Sequence, residues 1–349
     1  MRALILVGGK GTRLQPLTYT IPKPMVPVLN RPFLEHMIRW LQGNGVTEMI
    51  LTTGYLPDTI RDYFGDGRDW GVRLSYVVED EPLDTGGAIK NCQQMLAGEP
   101  FLVVNGDILT NLDLEGTRRL HEERKALVTV AASWVEDPRP FGMLVTDKAG
   151  RVREWVEKPQ PHQVTSHYVN VGVFFLRADA LEMMPEGRFN LERQFIAPAI
   201  QQGQPVYADR TDCYWLDIGT VAKYRQAHLD ALGGKVQVEF PGREVAAGVW
   251  LSGEVEMGPG VRLLPPVVIG DGCRLGRGAL VGPCTTLCRR VTVGPGARVM
   301  GSIVWSDATI GGRASVVDSV IGDRVRIRAG AAHREDVVGG ARQDRDREG

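Results

Sequence analysis

From Val245 onward every sixth residue is aliphatic: Leu251, Met257, Leu263, Ile269, Leu275, Val281, Leu287, Val293 and Val299 follow in one unbroken frame. The fourth residue after each is mostly small or β-branched, as at Cys273, Ala279, Thr285, Val291 and Ala297, and glycine follows the aliphatic residue at 258, 270, 276, 282 and 294. Short strands and tight turns produce such a period when they wind into a parallel β-helix. Three hexads complete one triangular coil, and the aliphatic residues stack inside. The frame slips by one near Val304, Ile310 and Val316 and again at Ile321 and Ile327, which predicts loops or bulges on the later coils. The span 245–332 has room for roughly five coils of about eighteen residues. Residues 333–349, dense in Arg, Asp and Gly, read as a charged, flexible tail.

The first two thirds obey a different rule. Strand patterns at 2–7, 48–53, 73–78 and 101–104 alternate with helical patterns at 33–42, 57–64, 85–96 and 113–124. Such alternation predicts a mostly parallel sheet with helices on both faces, and ligands gather at the carboxyl ends of its strands. From 126 the strands crowd together, at 127–134, 142–146, 151–156 and 169–176, as a mixed-sheet extension. A helix over Val221–Leu232 stops at Gly233-Gly234. The expected organisation is an α/β, Rossmann-like domain over 1–232, a linker over 233–244 and the β-helix.

At the amino end the apolar run Ala3 to Val7 empties into Gly8-Gly9-Lys10-Gly11-Thr12-Arg13-Leu14. Three glycines in four residues let successive N–H groups converge on an anion. The loop is neither a Walker loop, which needs Gly-Lys-Ser/Thr opening a helix, nor the G-x-G-x-x-G dinucleotide fingerprint. Arg13 and the Pro22-Lys23-Pro24 frame place two cations close behind it. The prolines fix the backbone on either side of Lys23 and limit where its ammonium can go. The combination reads as a phosphate cradle.

These residues resemble the signature of the sugar-1-phosphate nucleotidylyltransferases, also called nucleotide-sugar pyrophosphorylases. The later landmarks Glu81-Pro82-Leu83-Asp84-Thr85-Gly86-Gly87, Val104-Asn105-Gly106-Asp107, Glu157-Lys158-Pro159, Asn170-Val171-Gly172 and Trp215-Leu216-Asp217-Ile218-Gly219 follow in the order that family shows. Within it the wording is most similar to the mannose-1-phosphate guanylyltransferases. The resemblance covers nearly the whole chain and implies a left-handed β-helix for the hexad repeat.

The implied reaction is attack by a sugar-1-phosphate oxygen on the α-phosphorus of a nucleoside triphosphate, with GTP and mannose-1-phosphate favoured. A phosphate monoester is already an anion near neutral pH, so no general base is needed. The protein has to align two polyanions and neutralise their repulsion. Arg13 is expected on the departing β- and γ-phosphates, and Lys23 on the reacting phosphates. Asp107 and Asp217 are expected to hold Mg2+, a hard cation that accepts one or two carboxylates. By the resemblance, Leu6, Gly8, Gly9, Gly11, Thr12, Arg13, Glu79, Gly86 and Gly87 surround the nucleotide, the last two glycines letting the base lie against backbone. Gly142, Glu157, Lys158, Asn170 and Gly172 would hold the sugar phosphate. Asp84 departs from the pattern, since many relatives carry glycine there.

Composition narrows the alternatives. A net charge of −1 offers no basic field for nucleic acid or anionic membrane, so any phosphate binding is local. The five cysteines are scattered, with only Cys284 and Cys288 close together and no His beside them, which argues against zinc and for reduced thiols. With no signal peptide or apolar span of membrane length, the chain reads as cytoplasmic. Within the same class, a glucose-1-phosphate uridylyl- or thymidylyltransferase is the alternative. An acyltransferase on the β-helix would need a coil histidine, and none lies between 245 and 332. A regulatory or scaffold subunit would be expected to have lost members of the Arg13, Lys23, Asp107, Lys158 and Asp217 set. The β-helix is expected to join copies of the chain into a homo-oligomer, because its faces and open ends need covering.

Overall fold

A computed structural model of the chain describes residues 1–339. It divides into two compact units, Met1–Gly9 with Met37–Leu216, and Lys10–His36 with the chain from Asp217 onward.

The first unit is built on a nine-stranded sheet. Its main path runs Val152–Glu157, Gly142–Thr146, Tyr168–Leu176, Phe101–Asn105, Arg2–Leu6, Glu48–Thr53, Arg73–Val78. Arg2–Leu6 is central and parallel to both neighbours, pairing Ala3 with Met49 on one side and with Leu102 on the other. That position explains its run of apolar residues: Ala3, Leu4 and Ile5 are fully buried because both faces are covered. Tyr168–Leu176 is antiparallel to Phe101–Asn105, and Val128–Trp134 and Val206–Arg210 extend the sheet beyond it. The hydrophobic core gathers Leu4, Ile50, Phe101, Val103, Val130, Phe174 and Trp155 with residues of the flanking helices such as Ile89, Leu96 and Ile196. The expected helix over 85–96 is interrupted, as Asp84–Asn91 and Gln93–Leu96, and a π-helical turn occupies Glu192–Ile196.

The second unit contains the stacked coils. Three sheets form its faces, of seven, five and five strands, parallel throughout but for the first strand of the seven. The interior is the expected ladder of aliphatic and small residues, among them Ile269, Cys273, Leu275, Ala279, Val281, Leu287, Val293, Val299, Ile310, Val316 and Ile321. Two expectations need correction. The slips in the hexad frame are not loops or bulges but shorter coils. Val267 pairs with Thr285, eighteen residues on, whereas Thr286 pairs with Ile303 and Ile303 with Val320, each seventeen on. A coil that loses one corner residue keeps its strands in register, and the aliphatic frame moves back by one. Nor does the stack end at 332: Ala332–Arg334 and Val337–Val338 pair with Ser315–Val317 and Val320–Ile321. His333, expected at a frayed end, sits on the first of these strands beside Asp336. The rest of the expected tail, 340–349, lies outside the described residues.

The entry to the stack differs as well. Arg243–Ala246, in the expected linker and first hexad, folds back antiparallel on Val249–Leu251. Val245 and Met257 are exposed, and the buried ladder begins with Val249 and Val267. Among the described residues no helix is long and apolar enough to cross a membrane.

Candidate active site

In the first unit the family-signature residues collect at one edge of the sheet, the carboxyl ends of Arg2–Leu6, Phe101–Asn105 and Val152–Glu157. Gly8 follows the central strand and lies against the Glu79 carboxylate, 3.3 Å from where a Cβ would stand, with Gly54 packed on its carbonyl. Glu79 accepts the Leu83 N–H at 3.2 Å, and burial pushes its carboxyl above the usual value. Gly106 donates its N–H to Leu6 O at 3.0 Å, and a side chain there would meet that oxygen at 2.4 Å. The close approach sets the half-buried Asp107 at the mouth of the central strand.

The far end of the same edge carries the expected sugar-phosphate set. Gly142 pairs with Glu157 across neighbouring strands, and a Cβ at 142 would stand 2.7 Å from the Glu157 carboxylate. Lys158 turns through the left-handed region at φ 51, its N–H donating to Phe141 O at 2.9 Å and its side chain exposed. Asn170 Oδ1 accepts the Gly172 N–H at 2.7 Å. Gly172, at φ 78, passes so close to Ile108 and Asn105 that no side chain fits. Glu157, Lys158, Asn170 and Asp107 are thus brought to one margin of one sheet.

The turn before Asp84–Asn91 has a different logic from the one expected. Gly86 and Gly87 are buried, and both donate their N–H groups to Phe189 O. The Phe189 ring fills the space beside Gly86, within 2.1 Å of a Cβ position, and Gly187 O fills the space beside Gly87. These glycines admit a segment of the protein itself and leave no room on that side for a base. Thr85 fastens the same segment, its hydroxyl meeting Leu191 N, Asn190 Nδ2 and the buried Glu192 carboxyl. Asp84 takes φ 59, the left-handed conformation that glycine adopts without strain, and accepts the Thr85 N–H at 2.7 Å. The contact of Thr85 with Glu192 has no sequence signal, because nothing in the spacing of residues 85 and 192 marks it.

The second unit carries the cations. Gly11, at φ 62, has Lys23 Cβ 2.9 Å from its own Cβ position, and its carbonyl accepts the Thr18 hydroxyl at 2.8 Å. Turns at Thr12–Leu14 and Lys23–Met25 follow, with Leu14 N bonded to Gly11 O and Val26 N to Lys23 O. Gly219 lies beside Arg13, whose Nη2 is 3.2 Å from the glycine's Cβ position, with Asp217 Oδ2 at 3.5 Å. Asp217 is ion-paired with Lys223 of the helix Val221–Leu232. Lys223 was not expected. An i,i+6 spacing across a helix start has no periodic signal, and Thr220, which caps the helix by accepting the Lys223 N–H at 3.3 Å, brings the two together. Lys23 thus stands beside Gly11, and Arg13 and the Asp217–Lys223 pair stand beside Gly219.

Residues 2–233 match the Nucleotidyl transferase family and residues 247–344 the GMPPB C-terminal domain. The chain is 34% identical to a mannose-1-phosphate guanylyltransferase of Mycobacterium tuberculosis, over 80% of this chain and 82% of that one. It is 31% identical to a UTP–glucose-1-phosphate uridylyltransferase of Synechocystis, over 95% of this chain and 90% of that one. Among solved structures it is similar to HddC from Yersinia pseudotuberculosis complexed with GMP-PN, at 31% identity and a TM-score of 0.56, covering 65% of this chain and 97% of that one. A glucose-1-phosphate thymidylyltransferase structure from Bacillus anthracis shares the fold, at 23% identity and a TM-score of 0.61, covering 68% and 97%. With the glycine loop, its cations and the strand-end carboxylates in the family's order along the chain, this protein belongs to the nucleotidyl transferase family.

Proposed function

We propose that the protein transfers a nucleotidyl group from GTP to mannose-1-phosphate, giving GDP-mannose and pyrophosphate. An oxygen of the sugar phosphate bonds to the α-phosphorus while the bond to the bridging oxygen of the β-phosphate breaks, and pyrophosphate leaves with that electron pair. The observation that carries this reading is the placing of Lys23 beside Gly11 and of Arg13 with Asp217 beside Gly219. The two cations offset phosphate charge directly and the carboxylate would do so through a bound cation, which suits a nucleophile that is already an anion and needs no general base. In this reading Leu6, Gly8, Gly9, Gly11 and Thr12 line the triphosphate, and Arg13 grips the part that leaves. Lys23 faces the bond being exchanged. Glu79 braces the loop beside Gly8, and Lys158 takes the sugar phosphate while Gly142, Glu157, Asn170 and Gly172 surround the sugar.

Among the described residues no group of three or more His, Cys, Asp or Glu could hold a metal ion. Mg2+ needs no such group, since it takes one or two carboxylates and fills its other positions with water and phosphate oxygens. Asp107 and Asp217 would be those carboxylates, with Lys223 sharing the second. The ion would offset charge on the phosphates when bound.

The guanine preference draws on the guanylyltransferase relatives and on the GMP-PN complex of HddC; the Synechocystis relative makes UTP with glucose-1-phosphate the second reading. The five cysteines are all free, as a reducing compartment such as the cytoplasm would keep them. The β-helix is proposed to join copies of the chain. The test is to incubate the protein with Mg2+, each nucleoside triphosphate and a panel of sugar-1-phosphates, measuring pyrophosphate release and product mass. Fastest release with GTP and mannose-1-phosphate is expected; a faster rate with UTP or dTTP would overturn the base assignment, and no release with any pair the reaction.

A further inference from the structure

In the second unit the loop that bears Lys23 is fastened to the β-helix by a buried chain of hydrogen bonds. Pro27 O, four residues after Lys23, accepts the Tyr224 hydroxyl at 2.5 Å and His228 Nε2–H at 2.9 Å. Tyr224 and His228 stand one turn apart on the helix Val221–Leu232, their rings edge to face with centroids 5.0 Å apart. Trp305, just after the coil strand Ile303–Val304, donates Nε1–H to the Tyr224 oxygen at 2.9 Å. The Thr286 hydroxyl of another coil strand lies 3.4 Å from His228 Nδ1. Tyr224 is fully buried, and His228, Trp305 and Thr286 are 2%, 3% and 0% exposed, so none of these groups exchanges its partner for water.

The coil face itself is built for this purpose. Along its strands Ile269, Leu287, Val304 and Ile321 point into the stack, so by strand alternation Val268, Thr286, Ile303 and Val320 point outward. An outward coil face is ordinarily solvated, yet all four are buried. The loop end is held by close fits too: a Cβ at Gly270 would stand 2.6 Å from Asn30 Nδ2, and one at Gly339 would stand 2.5 Å from Pro16.

We infer that Tyr224, His228 and Trp305 are positioning residues for catalysis, through which the β-helix holds the Lys23 loop in its working geometry. The coils thereby serve the active site of their own chain, apart from any part in assembly. Pro27 O has two donors converging on it, so its place is fixed in two directions. The turn Lys23–Met25 and the Val26 N to Lys23 O bond pass that restraint back to the lysine. His228 serves in this way with a proton on Nε2, since Pro27 O can only accept. Burial holds its pKa down at about 3, so the ring is neutral throughout the neutral range.

The inference rests on the proposed role of Lys23 in phosphate chemistry, and its test separates the two. Trp305→Phe removes the indole donor and Tyr224→Phe the hydroxyl, each keeping an aromatic ring. Val316→Ala, in the coil interior, destabilises the β-helix without touching the chain of bonds. Each full-length variant is assayed for pyrophosphate release with Mg2+, GTP and mannose-1-phosphate, and for amide hydrogen exchange in the peptide over 25–29. Expected for Trp305→Phe and Tyr224→Phe are faster exchange there and a kcat lower by about tenfold or more, with KM for the sugar phosphate within about twofold. Val316→Ala should change neither the exchange of that peptide nor kcat. Unchanged exchange in both aromatic variants would overturn the inference, as would faster exchange with wild-type kcat. If the wild-type protein transfers no nucleotide, the proposed function fails, and no positioning role in catalysis stands with it, even where the exchange result shows the loop to be fastened.

Discussion

Gly11→Ala isolates the physics of the glycine loop in a single methyl group. Gly11 sits at φ 62, and a left-handed conformation costs a residue with a Cβ about 1–2 kcal/mol. The new methyl would also stand 2.9 Å from Lys23 Cβ and 3.3 Å from Thr18 Cγ2, closer than carbon atoms pack, so something must move. Overpacking of this kind costs about 1–3 kcal/mol, and the combined penalty is about 2–5 kcal/mol. Lys23 is the natural group to give way, because Thr18 is held through its hydroxyl on Gly11 O. A displacement near 1 Å at a group that aligns reacting phosphates lowers the rate by about a hundredfold. Gly9→Ala is the comparison, since a Cβ at 9 meets nothing within 4 Å and the backbone there is not left-handed. Thermal unfolding followed by circular dichroism should show Gly11→Ala clearly destabilised and Gly9→Ala close to wild type. Pyrophosphate-release kinetics should show the loss for Gly11→Ala in kcat. Equal melting of the two variants, or a Gly11→Ala enzyme with wild-type kcat, would refute the reasoning.

Other outcomes can be checked with the same assays. Lys23→Ala should lower kcat by orders of magnitude with its circular dichroism spectrum unchanged; near-normal turnover would remove Lys23 from the reacting phosphates. Asp107→Asn keeps the shape of the side chain but not its charge and should abolish Mg2+-dependent transfer, so retained activity at ordinary Mg2+ would exclude the metal role. Gly86→Ala would drive a methyl into the Phe189 ring, and a loss of stability on the order of 1–3 kcal/mol is expected in urea unfolding, against no loss if a bound base rather than the protein fills that space. Burial holds His121 neutral, with its pKa lowered from 6.5 to about 4, so the unfolded chain binds more protons between those values. This contribution to stability is whole above pH 6.5 and falls as the pH drops toward 4. His121→Asn should flatten the dependence of the melting temperature on pH in that window, and an unchanged slope would count against the assignment.

The buried chain of bonds to Pro27 changes how the β-helix is read. A repeat of this kind, seen in sequence, suggests a spacer or an assembly module. Here one outward face of the coils is as buried as their interior, and its polar groups end on the loop that carries the lysine. Substitutions at Trp305 or Thr286, far along the chain from the glycine loop, would then register in turnover.

Period and punctuation alone determined a great deal. The hexad frame specified the coils because only a residue that returns to the interior at every corner must be aliphatic at that interval. The alternation of strand and helix, with glycines at the strand end, specified the sheet and the edge at which the signature residues of the first unit collect. Even the two slips in the frame, with their direction, were present in the sequence. Val304 comes five residues after Val299 and Ile321 five after Val316, as a missing residue requires, and the pairing of Thr286 with Ile303 shows that the whole coil is shorter by that residue. Tertiary structure decided what the glycines are for, and which residues far apart in sequence meet. Gly86 and Gly87 give way to Phe189 and Gly187, Asp217 meets Lys223, and Pro27 meets Tyr224 and, through it, Trp305. Sequence periodicity records which side of an element faces inward, but a hydrogen bond between two buried polar groups leaves no period. It depends on where two separately folded elements come to rest.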